Sequence, residues 1–154
     1  MVGTIIVPHD GYSMSDKALN YAINIAKAMD MSIKIIRVID EGAGIPAMAQ
    51  LRDVERERVE KDVDDQLAKV RELEYNKLKK QIARANSKSV EISAKVVEGD
   101  VAERLISIIN KERPYMIIVG SRRLASKGLS KLKVLGSIAK KLSEESKYPI
   151  LIVK

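Results

Sequence analysis

The 154-residue sequence predicts one doubly wound α/β domain spanning residues 1–154, with a parallel sheet covered by helices on both faces. Three observations predict it. Short runs rich in Ile and Val alternate with longer segments whose apolar residues recur at helical spacing. Apolar runs end in turn signals, at Asp10-Gly11, Asp40-Glu41-Gly42, Gly99-Asp100 and Gly120. The length suits a single domain, and a hydrophobic content of 45% is enough for one sizeable core.

Thr4 to Val7 is a β-branched apolar run closed by Pro8 and Asp10-Gly11, which predicts a fully buried first strand. Ser13 to Asp16 has the form of a capping box, and Leu19, Ala22, Ile23 and Ala26 supply the apolar face of the helix it would open. Ile33 to Ile39 predicts an interior strand, and a loop follows at Gly42 to Pro46. From Arg52 to Ala85 the chain has no Gly or Pro and carries Val59, Val63, Leu67, Val70, Leu78 and Ile82 at helical spacing. One long helix is expected there, or two with a bend. Its interleaved charges predict a solvated outer face, with a coiled-coil arm as the alternative. Val90 to Val97 alternates polar and apolar residues and fits a strand near a sheet edge. A helix through Leu105, Ile106 and Ile109, a strand at Tyr115 to Val119, a helix opened by Gly136-Ser137, and a strand at Ile150 to Val153 complete the order. Such alternation implies right-handed crossovers and a ligand crevice at the carboxyl ends of the strands.

Composition narrows the chemistry. With no Cys and a single His, a disulfide framework, a thiol nucleophile and a thiolate or multi-histidine metal site are excluded. No apolar run approaches the roughly 18 residues of a membrane span, and the N-terminal stretch lacks the marks of a signal peptide, so a cytoplasmic location is expected. The net charge of +7 is local. Arg122, Arg123, Lys127, Lys131, Lys133, Lys140 and Lys141 lie between Gly120 and Ser143 with no acid among them, and the other 21 cations equal the 21 acids. A local anion such as a polyphosphate fits this segment at least as well as a long polyanion. With no Phe or Trp and only five Tyr, the chain lacks a stacking platform for single-stranded bases, so nucleic acid is not the expected partner.

Two places carry candidate binding chemistry. Gly136-Ser137 opens a helix, where free backbone N–H groups, a partial positive charge and the Ser hydroxyl suit a phosphate. The alternative reading is that Gly and Ser do no more than start that helix. Asp10 ends the first strand, where a carboxylate can accept hydrogen bonds from ribose hydroxyls or instead hold a turn. His9 beside it is more often a bystander than a base at such a position, and Pro8 shapes the strand exit or lies against a flat base.

Taken in order, Ile5-Ile-Val-Pro-His-Asp-Gly11, Ser15-Asp-Lys-Ala-Leu19, Val38-Ile-Asp40, Gly99-Asp-Val-Ala102, Ile117-Ile-Val-Gly-Ser-Arg122 and Leu135-Gly-Ser-Ile138 resemble the landmarks of the universal stress proteins across nearly the whole chain. The resemblance implies a five-stranded parallel sheet in order 3-2-1-4-5 and a homodimer joined through the last strand, here 150–153. It also implies ATP or AMP as ligand, with Mg accompanying ATP. Pro8, His9, Asp10 and Val38 would then hold the adenosine, and Gly120, Arg122, Arg123, Gly136, Ser137, Ile138 and Ala139 would line the phosphates. The family's phosphate loop has Gly, two residues, Gly, nine residues, Gly, then Ser or Thr. This sequence has Arg123 at the second glycine, and Gly136 stands sixteen positions after Gly120 where the pattern has thirteen. An Arg resists positive φ and keeps the backbone further from a phosphate than Gly does, so the loop must take a different path, with Gly128 as its flexible point and the Arg123 guanidinium as a donor.

The dinucleotide, P-loop and serine-hydrolase fingerprints do not occur, and no constellation supports turnover beyond slow incidental ATP hydrolysis. The expectation is a nucleotide-binding stress or regulatory dimer. Its alternatives are a dimer of the same fold that acts through protein contacts without nucleotide, and a polyanion binder using the 122–141 surface.

Overall fold

A computed structural model of the chain describes residues 2–40, 53–84, 89–121 and 136–154. The expected loop at 42–46 lies outside the described residues, as do Arg122, Arg123, Lys127, Gly128, Lys131 and Lys133. Five strands and four helices alternate: β1 (Thr4–Pro8), α1 (Ser13–Met29), β2 (Ser32–Ile39), α2 (Asp53–Arg84), β3 (Ile92–Glu98), α3 (Val101–Glu112), β4 (Met116–Gly120), α4 (Ser137–Glu145) and β5 (Ile150–Val153). The sheet order is β3-β2-β1-β4-β5, and every pairing is parallel. The expected fold class and strand order are both found.

Alternation along the strands builds two cores. Ile5 and Val7 of β1, Ile33 and Ile35 of β2 and Ile118 of β4 face α1 and the last turns of α2. Ile6, Ile36, Val38, Ile117 and Val119 point the other way, onto α3 and α4. Ile5, Ile6, Ile33, Ile35, Ile36, Ile117 and Ile118 are fully buried, and each such side chain contributes roughly 1.5–3 kcal/mol. Lys34, which would face the second core, instead reaches Glu112 of α3 at 2.7 Å. That bond holds the Glu112 carboxyl below its ordinary range.

The helix ends show where local signals hold. Asp100 caps α3, its carboxylate accepting from the Glu103 N–H at 2.9 Å, so Gly99-Asp100 works as the sequence suggests. The capping box at Ser13 does not form. The N-cap of α1 is Tyr12, with no side-chain bond to the helix, and Ser13 is already its first helical residue. The turn before it explains the shift: the Asp10 carboxylate accepts from the Tyr12 N–H at 3.0 Å and from the Ser15 hydroxyl at 2.8 Å, and so organises the helix start from outside it.

Helix α2 is one continuous helix of 32 residues. Only its last turns lie on the sheet, where Leu78 is buried and Ile82 packs against the first core. Arg71 pairs with Glu98, the last residue of β3, so residue 71 is level with the carboxyl edge of the sheet.

Candidate functional site

At the carboxyl edge the strand order reverses between β1 and β4, the position at which doubly wound sheets open a crevice. Asp10 leaves β1 on one side of it, and Gly120 ends β4 on the other. Val38 ends its buried run on the neighbouring β2. Ala139, in the first turn of α4, belongs to the same apolar cluster as Val38 and Val119, and Ile138 packs against that cluster. Pro8, in register with Ile36, shares the face of Ile6 by strand alternation. The fold therefore brings Pro8, Val38, Ile138 and Ala139 to the α3/α4 face of the sheet.

Gly136 is the N-cap of α4, no side chain among the described residues caps the helix, and no acid stands in its first turn. Ser137 is exposed, Ile138 half-buried and Ala139 buried, so the free N–H groups of the first turn have Ser137 as their polar neighbour. Among the described residues no carboxylate stands in that first turn to offset the partial positive charge of its amides.

Gly120 has a second reason to be glycine. A Cβ there would stand 2.5 Å from the Met14 carbonyl oxygen and 2.7 Å from its carbon, so the end of β4 approaches the backbone of α1 too closely for any side chain. Ser121 is buried behind it, and its N–H donates to the Val153 carbonyl at 2.8 Å, which pins the exit of β4 to β5.

His9 lies on the other face. Its side chain is fully buried, its Nε2–H donates to Asp16 at 3.0 Å, and its Nδ1 accepts from the Gly11 N–H at 3.1 Å. Both ring nitrogens are thus engaged with the protein, and these partners fix the tautomer. Burial holds the imidazole below its ordinary value of 6.5, against the opposing pull of the Asp16 carboxylate. Gly11 adopts φ 86°, a left-handed conformation that lets the turn present its N–H to the ring.

Between this turn and α2 lies a cavity of about 360 Å³, bounded by His9, Asp10, Tyr12, Arg37, Glu74 and Lys77 among others. The Arg37 Nε–H donates to Glu74 at 3.0 Å, and Glu74 also accepts from Lys77 at 2.8 Å. The bond from Lys77 and the nearby Arg37 charge keep the Glu74 carboxyl low. Gln81 donates to Asp16 at 3.2 Å, which ties α2 to the start of α1. Sequence reasoning passed over Arg37, Glu74, Lys77 and Gln81. Arg37 alone carried a signal, as one of two charges, with Lys34, inside a largely apolar strand.

Among the described residues no group of three or more His, Asp or Glu is placed to hold a metal ion, and no helix is long and apolar enough to cross a membrane.

The model of the universal stress protein family matches residues 1–154. The universal stress protein MJ0531 of Methanocaldococcus jannaschii is 28% identical over 152 residues, which cover 97% of this chain and 81% of that one. The solved structure of the hypothetical protein MJ0577 superposes with a TM-score of 0.76 at 23% identity, over 100% of this chain and 96% of that one. A universal stress protein in complex with cAMP gives a TM-score of 0.64 at 22% identity, over 97% and 94% of the two chains. One from Archaeoglobus fulgidus in complex with dAMP gives 0.59 at 10% identity, over 100% and 98%. At these identities the structural likeness is one of fold.

Proposed function

The chain belongs to the universal stress protein family, and from that premise we propose that it binds an adenine nucleotide, ATP or AMP, at the carboxyl edge of its sheet as a regulatory homodimer in the cytoplasm. The observation that carries the reading is the start of α4, acid-free in its first turn and without a side-chain cap among the described residues, whose Ala139 shares an apolar cluster with Val38. An apolar wall beside free N–H groups suits a flat base joined to an anion. Two structures of the same fold hold cAMP and dAMP, which supports adenine as the base.

In this reading Pro8 and Val38 lie against the adenine, the Asp10 carboxylate takes the ribose hydroxyls, and the amides of Ser137, Ile138 and Ala139 take phosphate oxygens together with the Ser137 hydroxyl. Gly120 keeps the crevice floor in place by its fit against α1. Mg²⁺ would enter with the phosphates of ATP. Binding rather than turnover is proposed, because the chain's one imidazole has both nitrogens engaged and offers no base. The edge strand β5, with Leu151 exposed, is the proposed dimer contact.

Calorimetry with ATP, AMP and adenosine tests this. Asp10→Asn keeps an acceptor for the turn yet removes charge, and it is expected to weaken all three ligands. Ser137→Ala is expected to weaken ATP more than adenosine, by about tenfold or more for a charge-assisted bond of roughly 1.5–3 kcal/mol. No heat from ATP or AMP, and no adenine nucleotide released on denaturing the purified protein, would overturn the proposal.

A further inference from the structure

The turn that carries Asp10 has little freedom left in its backbone. The His9 N–H donates to the Ile36 carbonyl at 2.9 Å, which ties the strand exit to β2. Two residues on from His9, the Gly11 N–H donates to its ring at 3.1 Å, and that ring is held in turn by Asp16 at 3.0 Å. Gln81 of α2 donates to the same Asp16 oxygen at 3.2 Å. Asp10 stands between two fixed points, so what remains adjustable is its side chain.

Ser15 removes that freedom. Its hydroxyl lies 2.8 Å from Asp10 Oδ1, the oxygen that also accepts from the Tyr12 N–H at 3.0 Å. Two donors on one oxygen restrict the rotation of the carboxylate, and with it the direction of the second oxygen. The Ser15 hydroxyl is also 2.8 Å from the Tyr12 carbonyl. That carbonyl already accepts from the backbone N–H groups of Ser15 and Asp16 at 3.1 and 3.2 Å, so the single hydroxyl proton has the charged carboxylate as its better acceptor.

The place of Ser15 in the fold fits such a task. It is only 4% exposed, so water does not compete for the hydroxyl. A Cβ on Gly120 would come within 3.1 Å of the Ser15 nitrogen, so this turn of α1 lies against the end of β4, beside the crevice. We propose that Ser15 is a positioning residue of this site, a role that rests on the adenine-nucleotide reading: it holds the Asp10 carboxylate in the orientation that meets the ribose, and so makes the site selective for nucleotides that keep their ribose hydroxyls. Ser15 acts through Asp10. A carboxylate already oriented accepts those hydroxyls without first losing rotamer freedom, and a ligand that lacks them leaves it unpaired.

Calorimetry with AMP and with dideoxy-AMP, which lacks both ribose hydroxyls, separates this role from a merely structural one. The parent is expected to bind AMP about tenfold or more tightly than dideoxy-AMP, as suits a charge-assisted contact. In Ser15→Ala that ratio is expected to shrink to about threefold or less, while dideoxy-AMP binds within about twofold of its parent affinity and so shows the pocket intact. Ser15→Cys, nearly isosteric but a weak donor, is expected to lose selectivity in the same way and serves if the alanine variant does not fold. An unchanged ratio in the folded variant, or a fall in both ligands by one factor, would overturn the inference and leave the nucleotide reading standing. A parent that binds the two ligands equally would do the same, since Asp10 would then not read the ribose. A parent that binds neither would overturn both.

Discussion

His9 shows how little a residue's chemical type says until its partners are known. Beside Asp10 in the sequence it is a candidate ligand contact; in the fold it is a spacer, with one nitrogen on Asp16 and the other under the Gly11 N–H. Its proton is bound more weakly in the folded chain than in the unfolded one, because burial penalises the charged ring. Well above the ordinary value both states are neutral and the contribution to stability is complete. As pH falls through that value the unfolded chain takes up the proton first, so stability declines until the folded ring titrates too. Urea unfolding between about pH 7.5 and about pH 5 should therefore show a steeper acid-side loss for the parent than for His9→Gln, and equal slopes would show that the ring titrates alike in both states. Gly120 makes a second prediction at this scale. Gly120→Ala presses a methyl group into the Met14 carbonyl and is expected to cost about 1–3 kcal/mol in unfolding free energy. A variant of unchanged stability would leave close approach of a ligand as the only reason for that glycine.

Among the elements, the strands were legible because two buried faces demand continuous apolar runs, and those runs are visible as written. Helix starts were legible only where the cap is local. Asp100 and the Glu103 N–H lie within one turn, so the sequence shows both partners. At α1 the organising carboxylate is Asp10, which stands outside the helix, and the serine that matched the motif does not cap. Asp100→Ala is accordingly expected to cost about 1 kcal/mol in thermal or urea unfolding, while Ser13→Ala costs little. Equal losses would return the cap to Ser13. The polar cavity was illegible for a related reason. Arg37 and Glu74 meet at 3.0 Å from different elements, and only the docking angle of α2 on the sheet decides which of its many charges reaches β2. The shared face of Pro8 and Val38 was legible once the family resemblance had picked them out, since both sit near strand ends where alternation fixes their face. The path from Gly120 to Gly136 was not, because its Arg123 and added length break the only pattern that could have guided it.

Over the whole molecule, the two sheet edges are treated differently. Beyond β3 the last turns of α2 cover part of one margin, whereas β5 ends the other with the burial pattern of a strand only half enclosed. Removing the residues after Pro149 is expected to give monomeric or insoluble protein in sedimentation velocity, and a truncated chain that stays a soluble dimer would place that contact elsewhere. The pairing of Ile5 with Met116 and of Ile6 with Ile117 has a further consequence. β1 is the central strand and is made before the other four, yet one of its two neighbours, β4, is made only after two further strands and three helices have been synthesised. Until then its inner side is bare on the nascent chain, held to β2 alone. Such a non-local closure slows folding, so during translation this half-built sheet is the stage at which a holding chaperone has most to protect.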